Sequence, residues 1–378
     1  MPLPEVHLVG GTSAEAARLA PVATAMREQA RVEPVLLAAG PEPLSFAQTL
    51  DVFDLTAGLA VPAAADDAET ICRLDHLWST RTPSAVVVQG DAGASLPAAV
   101  AAYWRRIPVV HLDAGRRSGD LGAAGPAGPN RRLLTQVSTL HLAAAPLAAM
   151  NLLDERVPGG DVLLTGNTAV DAAMALRDRR PPYADPDLAA LRDANPGDPH
   201  RLLVVGLEHT GGVRLEQIRA TVRRLTARYR DLDVVMLGAE PSGRSRRVVG
   251  AGPLAYADRA RLLAEAYLVL TDDGDLEEDA LGFGVPVLVL HEMTDRMEPL
   301  YAGCARLVGL EPEAILDGIA ELLDSRVRRD SMTATGNPYG DGLAAKRAAQ
   351  ATAALLGHGP FPEPMPARST AGAARQEI

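Results

Sequence analysis

The sequence has 378 residues, 47% hydrophobic and 22% charged, which is typical of a globular protein with two domains of about 150 to 200 residues each. The net charge is −11. The 37 basic residues are dispersed and include one lysine, Lys346, so no basic stripe indicates binding to nucleic acid or to an acidic membrane.

Short apolar runs alternate with alanine-rich amphipathic segments in the first half of the chain. The runs that predict strands are EVHLVGG, VEPVLLAAG, SAVVVQGD and IPVVHLDAG, and helices are predicted over Ser13–Gln29 and Leu96–Arg105. A second series, RLLVVGLE, LDVVMLGAE, AYLVLTDDG and VPVLVLHEM, follows DVLLTGNT. This alternation predicts βαβ units on parallel sheets, and therefore an α/β fold of two Rossmann-like doubly wound domains.

The predicted organisation has four parts. We expect one domain over residues 1–168, a second over 169–339, a final helix over 340–358 that crosses back to the first domain, and a disordered tail over 359–378. The segment DRRPPYADPDLAALRDANPGDPHR is rich in proline and is expected to carry the link between domains. The tail contains proline and small residues without an apolar period.

The cysteines and the apolar runs restrict the environment of the protein. Cys72 and Cys304 are too few and too far apart for a disulfide framework or a thiolate metal site, and we expect both to be core residues. No signal peptide is predicted, and no apolar run approaches the roughly 20 residues of a membrane span. The expected location is the reducing cytoplasm.

Ligands of open parallel sheets bind beyond the carboxyl ends of the strands, so the loops after the apolar runs are the candidate sites. The first run ends in a Gly-Gly turn and a helix start that Thr12 or Ser13 can cap, although turn geometry alone would also explain the glycines. Asp91 follows one buried run, and Asp113 closes the next. Two carboxylates at neighbouring strand ends suit acid–base catalysis, and helix capping or a solvated loop is the alternative.

The segment Thr271–Leu290, TDDGDLEEDALGFGVPVLVL, predicts a strand end, a helix and a second buried strand. Six of the eight residues Asp272–Asp279 are acidic. They stand where the backbone N–H groups of a helix start favour anions. Such a loop would repel a phosphate group.

Five motifs in order resemble the non-hydrolysing UDP-N-acetylglucosamine 2-epimerases. They are VQGDAGASLPAAVAAYWRRIPVVHLDAGRRSGDL, PNRRLLTQVSTLHLAAAPLAAMNLLDERV, LLTGNTAVDAA, FGVPVLVLHEMTDRMEPLYAGCARLVG and NPYGDGLAAKRAA. The similarity runs from about Val6 to Thr352. It implies a glycosyltransferase-B-type fold with the nucleotide sugar in the cleft between two domains, a homodimer, and no cofactor or resident metal.

The resemblance also implies a reaction, the anti elimination of UDP followed by its re-addition, in which carbon 2 receives its proton on the other face of the sugar. Asp91 and Asp113 match acidic positions of the family, Asp113 in place of the usual glutamate, and Arg131 matches the arginine of its Asn-Arg pair. We predict these three residues to be catalytic. The residues predicted to bind a UDP-HexNAc substrate are Gly11, Thr12, His209, Asp273, Gly274, Asp279 and Arg296.

Several motif positions depart from the family. Ala127 and Gly128 replace its Glu-Glu pair, which removes a catalytic carboxylate. Leu207 stands at the place of its substrate-contacting histidine, two residues before His209, and Ser13 replaces an arginine. Met297 stands where the family has a proline in the segment that contains Arg296.

Asp273 and Asp275 replace the serine and the second glycine of the family's diphosphate loop. Three arrangements would avoid repulsion of a phosphate: the aspartates are protonated or turned away, a divalent cation bridges them to the phosphate, or the ligand is not a diphosphate. A fourth interpretation is that the aspartates only cap the helix. Two functions therefore stay open. One is a divergent epimerase of a secondary-metabolite or cell-surface sugar pathway, and the other is a homologue that has lost the reaction and acts as a binding, regulatory or partner protein.

Overall fold

The structure is a computed structural model that describes residues 2–40, 42–91, 93–117, 127–179, 181–193, 200–208, 210–238, 246–294, 296–334 and 336–366. Its first sheet consists of β1 (Glu5–Gly10), β2 (Glu33–Ala38), β3 (Leu59–Ala60), β4 (Ala85–Gln89), β5 (Val109–Ala114), β6 (Leu140–Ala143) and β7 (Val162–Leu164). The helices of this part are α1 (Ser13–Gln29), α2 (Pro43–Val52), α3 (Asp67–Thr80), α4 (Ser95–Trp104), α5 (Ala127–Val137), α6 (Pro146–Asp154) and α7 (Thr168–Leu176).

A second sheet follows along the chain. Its strands are β8 (Arg201–Gly206), β9 (Leu232–Leu237), β10 (Val248–Ala251), β11 (Leu268–Thr271), β12 (Val287–Val289) and β13 (Ala305–Leu307). The helices are α8 (Pro186–Asp193), α9 (Gly212–Arg228), α10 (Tyr256–Glu265), α11 (Gly274–Gly282), α12 (Met297–Ala302), α13 (Pro312–Asp324), α14 (Arg326–Ala334) and α15 (Ala344–Leu355).

Both sheets are parallel and doubly wound, as the sequence predicts. The strand orders are β3-β2-β1-β4-β5-β6-β7 and β10-β9-β8-β11-β12-β13. The apolar runs form strands because helices cover both faces of each sheet, so that Val86, Val87 and Val88 are all fully buried. The helix predicted over Ser13–Gln29 has these bounds in the structure, and the one predicted over Leu96–Arg105 is shifted by one residue.

The topology places the candidate loops at two crevices. In each sheet the strand order reverses at one point, between β1 and β4 in the first and between β8 and β11 in the second. Ligands of doubly wound folds bind at such points. The loop after β1 contains Gly11, the loop after β4 contains Asp91, and the loop after β11 contains Asp273.

Helices from the two sheets meet along one boundary. Helix α7 packs against both α1 and α11, and α10 packs against α2. Ala17 and Leu176 form a small apolar cluster there with Tyr256 and Ala260. The carboxyl ends of both sheets thereby share a cleft.

Two parts of the chain differ from the sequence predictions. Residues 360–366, assigned by composition to a disordered tail, lie against the first sheet, where the Met365 N–H donates to the Leu164 carbonyl at 2.7 Å. The buried Met365 side chain packs beside Gly166 and supplies an apolar anchor. Residues 367–378 lie outside the described part. Cys304 is buried as expected, but Cys72 is exposed on α3.

The final helix, α15, packs against α1 of the first sheet, and its alanines Ala345, Ala348 and Ala349 are buried there. In the described part of the chain, no helix has both the length and the apolar character needed to cross a membrane.

Candidate functional site

The loops after β1 and β4 are held together by Glu15, a buried residue of α1. Its carboxylate accepts hydrogen bonds from the Gly11 N–H at 2.8 Å, the Thr12 N–H at 3.0 Å and the Ser95 hydroxyl at 3.1 Å. Burial raises the pKa of Glu15 to about 7. Thr12 caps α1, as one of the two predicted candidates. The Gly11 and Thr12 N–H groups, predicted to face substrate, are therefore already bonded within the protein.

Gly11 is required by the close approach of two loops. A Cβ atom there would lie 2.4 Å from the Ala39 carbonyl oxygen. The turn after β1 therefore packs directly on the residues after β2, and this close backbone approach accounts for the glycine.

Asp91 and Arg131 form an ion pair at the first crevice. Asp91 Oδ1 lies 3.2 Å from Arg131 Nε, and both side chains are largely buried. Asp91 follows β4, whereas Arg131 comes from the first turns of α5. The structure therefore brings these two predicted catalytic residues into direct contact.

Asp113 lies on the neighbouring strand β5, in a left-handed backbone conformation with φ of 57°. Its carboxylate accepts a hydrogen bond from Arg116 at 2.7 Å. Burial raises the pKa of Asp113 to about 6; Arg116 opposes this shift, and the negative charge of Glu278 adds to it. A carboxyl group with this pKa can accept and release a proton near neutral pH.

Glu278 of α11 is the centre of the largest ion-pair cluster at the cleft. The side chain is 1% exposed. It accepts hydrogen bonds from Arg18 at 3.1 Å, from Arg296 at 3.1 Å and from Arg116. The Asn167 side chain donates another at 3.1 Å. Burial alone would raise the pKa of Glu278, but the three arginines hold this pKa well below its usual range. The Glu278 carboxylate is therefore ionised.

The same cluster joins the two sheets. Arg18 belongs to α1 and Arg116 follows β5, whereas Glu278 belongs to α11 and Arg296 precedes α12. Arg18 also donates to Asp275 Oδ1 at 3.1 Å. Arginines from both sides of the cleft thus converge on carboxylates of one helix.

The acidic loop of the second sheet is neutralised from within the protein. Asp273 caps α11, because its Oδ1 accepts from the N–H groups of Asp275 at 2.8 Å and Leu276 at 3.2 Å. Asp272 accepts from the Glu208 N–H at 2.7 Å and the Thr210 hydroxyl at 2.6 Å. These acidic groups hold backbone and side chains of the protein.

The other predicted binding residues of this loop are also engaged. Asp279 is buried and pairs with Arg259, and burial raises its pKa, which Arg259 opposes. At Gly274 a Cβ atom would fall 2.0 Å from an Arg296 guanidinium nitrogen, so the arginine rests on the glycine backbone. Any side chain at Gly274 would displace Arg296 from Glu278.

One predicted site residue, His209, lies outside the described residues. Leu207, at the position where the resemblance places a histidine, is buried in the core beneath α9. Within the described part of the chain, no group of three or more His, Cys, Asp or Glu side chains is placed to hold a metal ion.

The predicted site residues leave out three residues that define the cleft, Arg18, Arg116 and Glu278. Arg18 stands among alanines and leucines on the buried face of a helix, and a charged residue at such a position is a usable signal. Glu278 could not be separated from its acidic neighbours, because only the helical turn directs it toward Arg18 and away from solvent.

Comparison with known proteins identifies the family. The family model described as UDP-N-acetylglucosamine 2-epimerase matches residues 24–353. A probable UDP-N-acetylglucosamine 2-epimerase of Ralstonia solanacearum is 31% identical over 374 residues, which cover 93% of this chain and 99% of the relative. The chain belongs to the UDP-N-acetylglucosamine 2-epimerase family.

Solved structures of this epimerase family share the fold. The S. aureus MnaA–UDP co-structure superposes with a TM-score of 0.86 at 26% identity, over 96% of this chain and 100% of that one. The Neisseria meningitidis UDP-GlcNAc 2-epimerase bound to UDP-GlcNAc gives 0.79 at 25% identity, over 93% and 100%. The glycosyltransferase-B-type arrangement of two Rossmann-like units is thereby established for this chain.

The charged residues at the cleft of this chain differ from the pattern that the family motifs predict. Gly128 lies in the first turn of α5, just before Asn130 and Arg131, and contributes no carboxylate there. The carboxylates that the described residues bring to the cleft include those of Asp91, Asp113 and Glu278. Each of the three is paired with arginine.

Proposed function

We propose that the protein is a UDP-N-acetylglucosamine 2-epimerase, or acts on a closely related nucleotide sugar, by elimination and re-addition of UDP. Family membership supports the reaction class. The observation that carries the proposal is that Asp91 and Asp113, each with an arginine partner, lie at the ends of the adjacent strands β4 and β5, next to the crevice where doubly wound folds bind ligands.

Asp113 is the proposed base for the proton on carbon 2. Its pKa of about 6 keeps it ionised at neutral pH while leaving it basic enough to accept a proton. Removal of that proton forms the double bond between carbons 1 and 2, and the carbon 1–oxygen bond breaks with its electrons passing to UDP. Asp91, oriented by Arg131, is proposed to take up a proton from solvent and to deliver it to carbon 2 on the opposite face while UDP re-forms its bond to carbon 1. Asp113 then releases its proton to solvent.

The arginines Arg18, Arg116 and Arg296 are proposed to bind the diphosphate. Guanidinium groups suit phosphate oxygens because they donate paired hydrogen bonds and stay charged. All three contact Glu278 in this structure. Substrate therefore has to share these arginines with Glu278 or take them from it, and the charge gained by the leaving UDP favours that exchange.

The test is incubation of the protein with UDP-N-acetylglucosamine while the anomeric proton is followed by NMR. Build-up of the manno epimer is the expected result. Asp91→Asn preserves the shape of the side chain but cannot exchange a proton, so turnover should fall on the order of 100-fold or more. A wild-type protein that binds UDP without turnover would instead be the homologue that has lost the reaction. A fully active Asn variant would remove Asp91 from the mechanism.

We further propose that the protein is a cytoplasmic homodimer. Tyr103 and Trp104 at the end of α4 and Leu133 on α5 expose large apolar side chains on one side of the first sheet. Such a surface is commonly covered in an assembly. Sedimentation analysis should give twice the monomer mass, and a monomer that persists at high concentration would contradict the assembly.

A further inference from the structure

Tyr339 lies between α14 and α15, with its side chain 4% exposed beside the ion-pair cluster. Its backbone is fixed on both sides: the carbonyl accepts from the Asn167 N–H at 2.7 Å, and the N–H donates to Asn337 Oδ1 at 2.9 Å. Asn167 is also the residue whose side chain binds Glu278. The backbone of Tyr339 is therefore anchored to the residue that also binds the carboxylate contacted by the three arginines.

The hydroxyl oxygen of Tyr339 is buried and has no hydrogen-bond partner among the described residues. Most buried hydroxyl groups in proteins are bonded, because losing water without gaining an acceptor is unfavourable. Two other buried tyrosines of this chain follow the rule, as Tyr183 donates to Glu265 at 3.2 Å and Tyr229 donates to Asp324 at 2.8 Å. The Tyr339 hydroxyl is therefore an unused donor at the cleft.

The surroundings of this hydroxyl indicate the kind of acceptor that it can meet. Tyr339 lines a small cavity together with Asp113, Arg116, Arg296 and Glu298. Burial, and next the negative charge of Glu278, holds the pKa of Tyr339 far above its usual value, so the group keeps its proton and donates. A neutral donor beside two guanidinium groups suits an anionic oxygen better than a hydroxyl of a sugar.

We propose that the Tyr339 hydroxyl donates a hydrogen bond to a diphosphate oxygen of the bound nucleotide sugar. The proposal rests on the proposed function for its choice of ligand. As the carbon 1–oxygen bond breaks, the departing diphosphate gains negative charge, and the hydrogen bond strengthens. Tyr339 keeps its proton throughout, so it binds the leaving group without taking part in proton transfer.

The test is Tyr339→Phe, which removes the oxygen and preserves the ring. Calorimetry with UDP should show a dissociation constant about 10- to 100-fold higher, the range for a hydrogen bond to a charged acceptor. With UDP-N-acetylglucosamine, kcat should fall as well, because the bond is strongest in the transition state. The melting temperature without ligand should stay the same or rise, because the variant no longer buries an unpaired hydroxyl.

Tyr183→Phe is the matched control. It removes a buried hydroxyl that is already bonded to Glu265 and that does not line this cavity. The control should melt at a lower temperature and bind UDP as the wild type does. A melting temperature that falls in Tyr183→Phe but not in Tyr339→Phe separates a structural hydroxyl from an unused donor.

Each outcome is decisive. If Tyr339→Phe binds UDP as tightly as the wild type, the proposal is overturned whatever the turnover. A lower melting temperature with unchanged affinity also overturns it, because the hydroxyl would then be structural. If UDP affinity falls in the variant but the wild type does not epimerise its substrate, the epimerase function fails and the Tyr339 contact stands. No UDP binding by the wild type overturns both.

Discussion

Asp275→Asn should make the protein bind UDP more tightly. Asp275 Oδ1 accepts a hydrogen bond from Arg18 at 3.1 Å, and that arginine is one of the three proposed to bind the diphosphate. Asparagine has nearly the same size and can still accept the hydrogen bond, but it carries no charge. The substitution therefore removes the electrostatic competitor of the phosphate and leaves the packing of α11 unchanged.

The size of the effect follows from distance and exposure. A carboxylate and a phosphate about 4 Å apart repel by roughly 4 kcal/mol at an effective dielectric constant of about 20. The Asp275 side chain is 45% exposed, so water and salt screen much of this repulsion. About 1 to 2 kcal/mol should remain, which corresponds to an affinity gain of roughly 5- to 30-fold.

The assay is calorimetric titration of UDP into the wild type, Asp275→Asn and the matched control Asp273→Asn, each with magnesium and with a chelator. The control carries the same chemical change two residues earlier. The Asp273 carboxylate caps α11, and asparagine caps helices equally well. We expect the affinity of the control to change by about threefold or less.

Two results would refute this reasoning. Equal gains in both variants would mean that UDP responds to the total charge of the loop, and that the pairing of Asp275 with Arg18 is not the cause. Loss of magnesium-dependent binding in Asp275→Asn would identify a bridging cation, for which the carboxylate is a ligand and not a competitor.

Three further predictions concern single side chains on β5 and on helices that pack against the first sheet. Arg131→Lys keeps the charge but loses the planar fork that meets Asp91, so kcat/KM should fall on the order of tenfold, and unchanged kinetics would remove Arg131 from the site. The raised pKa of Asp113 predicts that kcat/KM increases with pH through about 6; a profile that is flat from about pH 5 to 8 contradicts its role as base. The pKa of Glu15 is also raised, to about 7, so the folded protein binds this proton more tightly than the unfolded chain. Its stabilising effect is complete below the unfolded pKa and is lost as pH rises through about 7, by roughly 3 kcal/mol. Glu15→Gln should flatten this dependence in urea unfolding at about pH 5 and 8, and an unchanged slope would show that another group causes it.

The sequence predicts the scaffold well because the scaffold depends on short-range pattern. Buried parallel strands appear as apolar runs, and the helix over Ser13–Gln29 is bounded by a cap that local residues define. The positions of Asp91 and Asp113 follow from the rule that parallel strands end at one edge of a sheet. Asp91 lies in the loop after β4, and Asp113 lies near the end of the neighbouring strand β5.

The electrostatics of the site could not be predicted in the same way. Arg18 meets Glu278 and Asp275 from the other sheet, a distance of more than 250 residues along the chain. An acidic run shows that charge accumulates in a loop, but the sequence does not contain the orientation of each carboxylate. The carboxylates of the acidic loop and α11 bind groups of the protein itself, namely arginines, backbone N–H groups and the side chains of Thr210 and Asn167.

The contact between α15 and α1 constrains when the first domain can fold during synthesis on the ribosome. The alanine face of α15 completes the core around β1 and α1, yet the ribosome synthesises it only after the strands of both sheets. The part of the chain that leaves the ribosome first therefore cannot complete its core until the last helix emerges, unlike a protein whose N-terminal domain folds independently during synthesis. During that interval the face of α1 that packs against α15 stays uncovered, and translation that stops before residue 344 leaves that apolar face exposed.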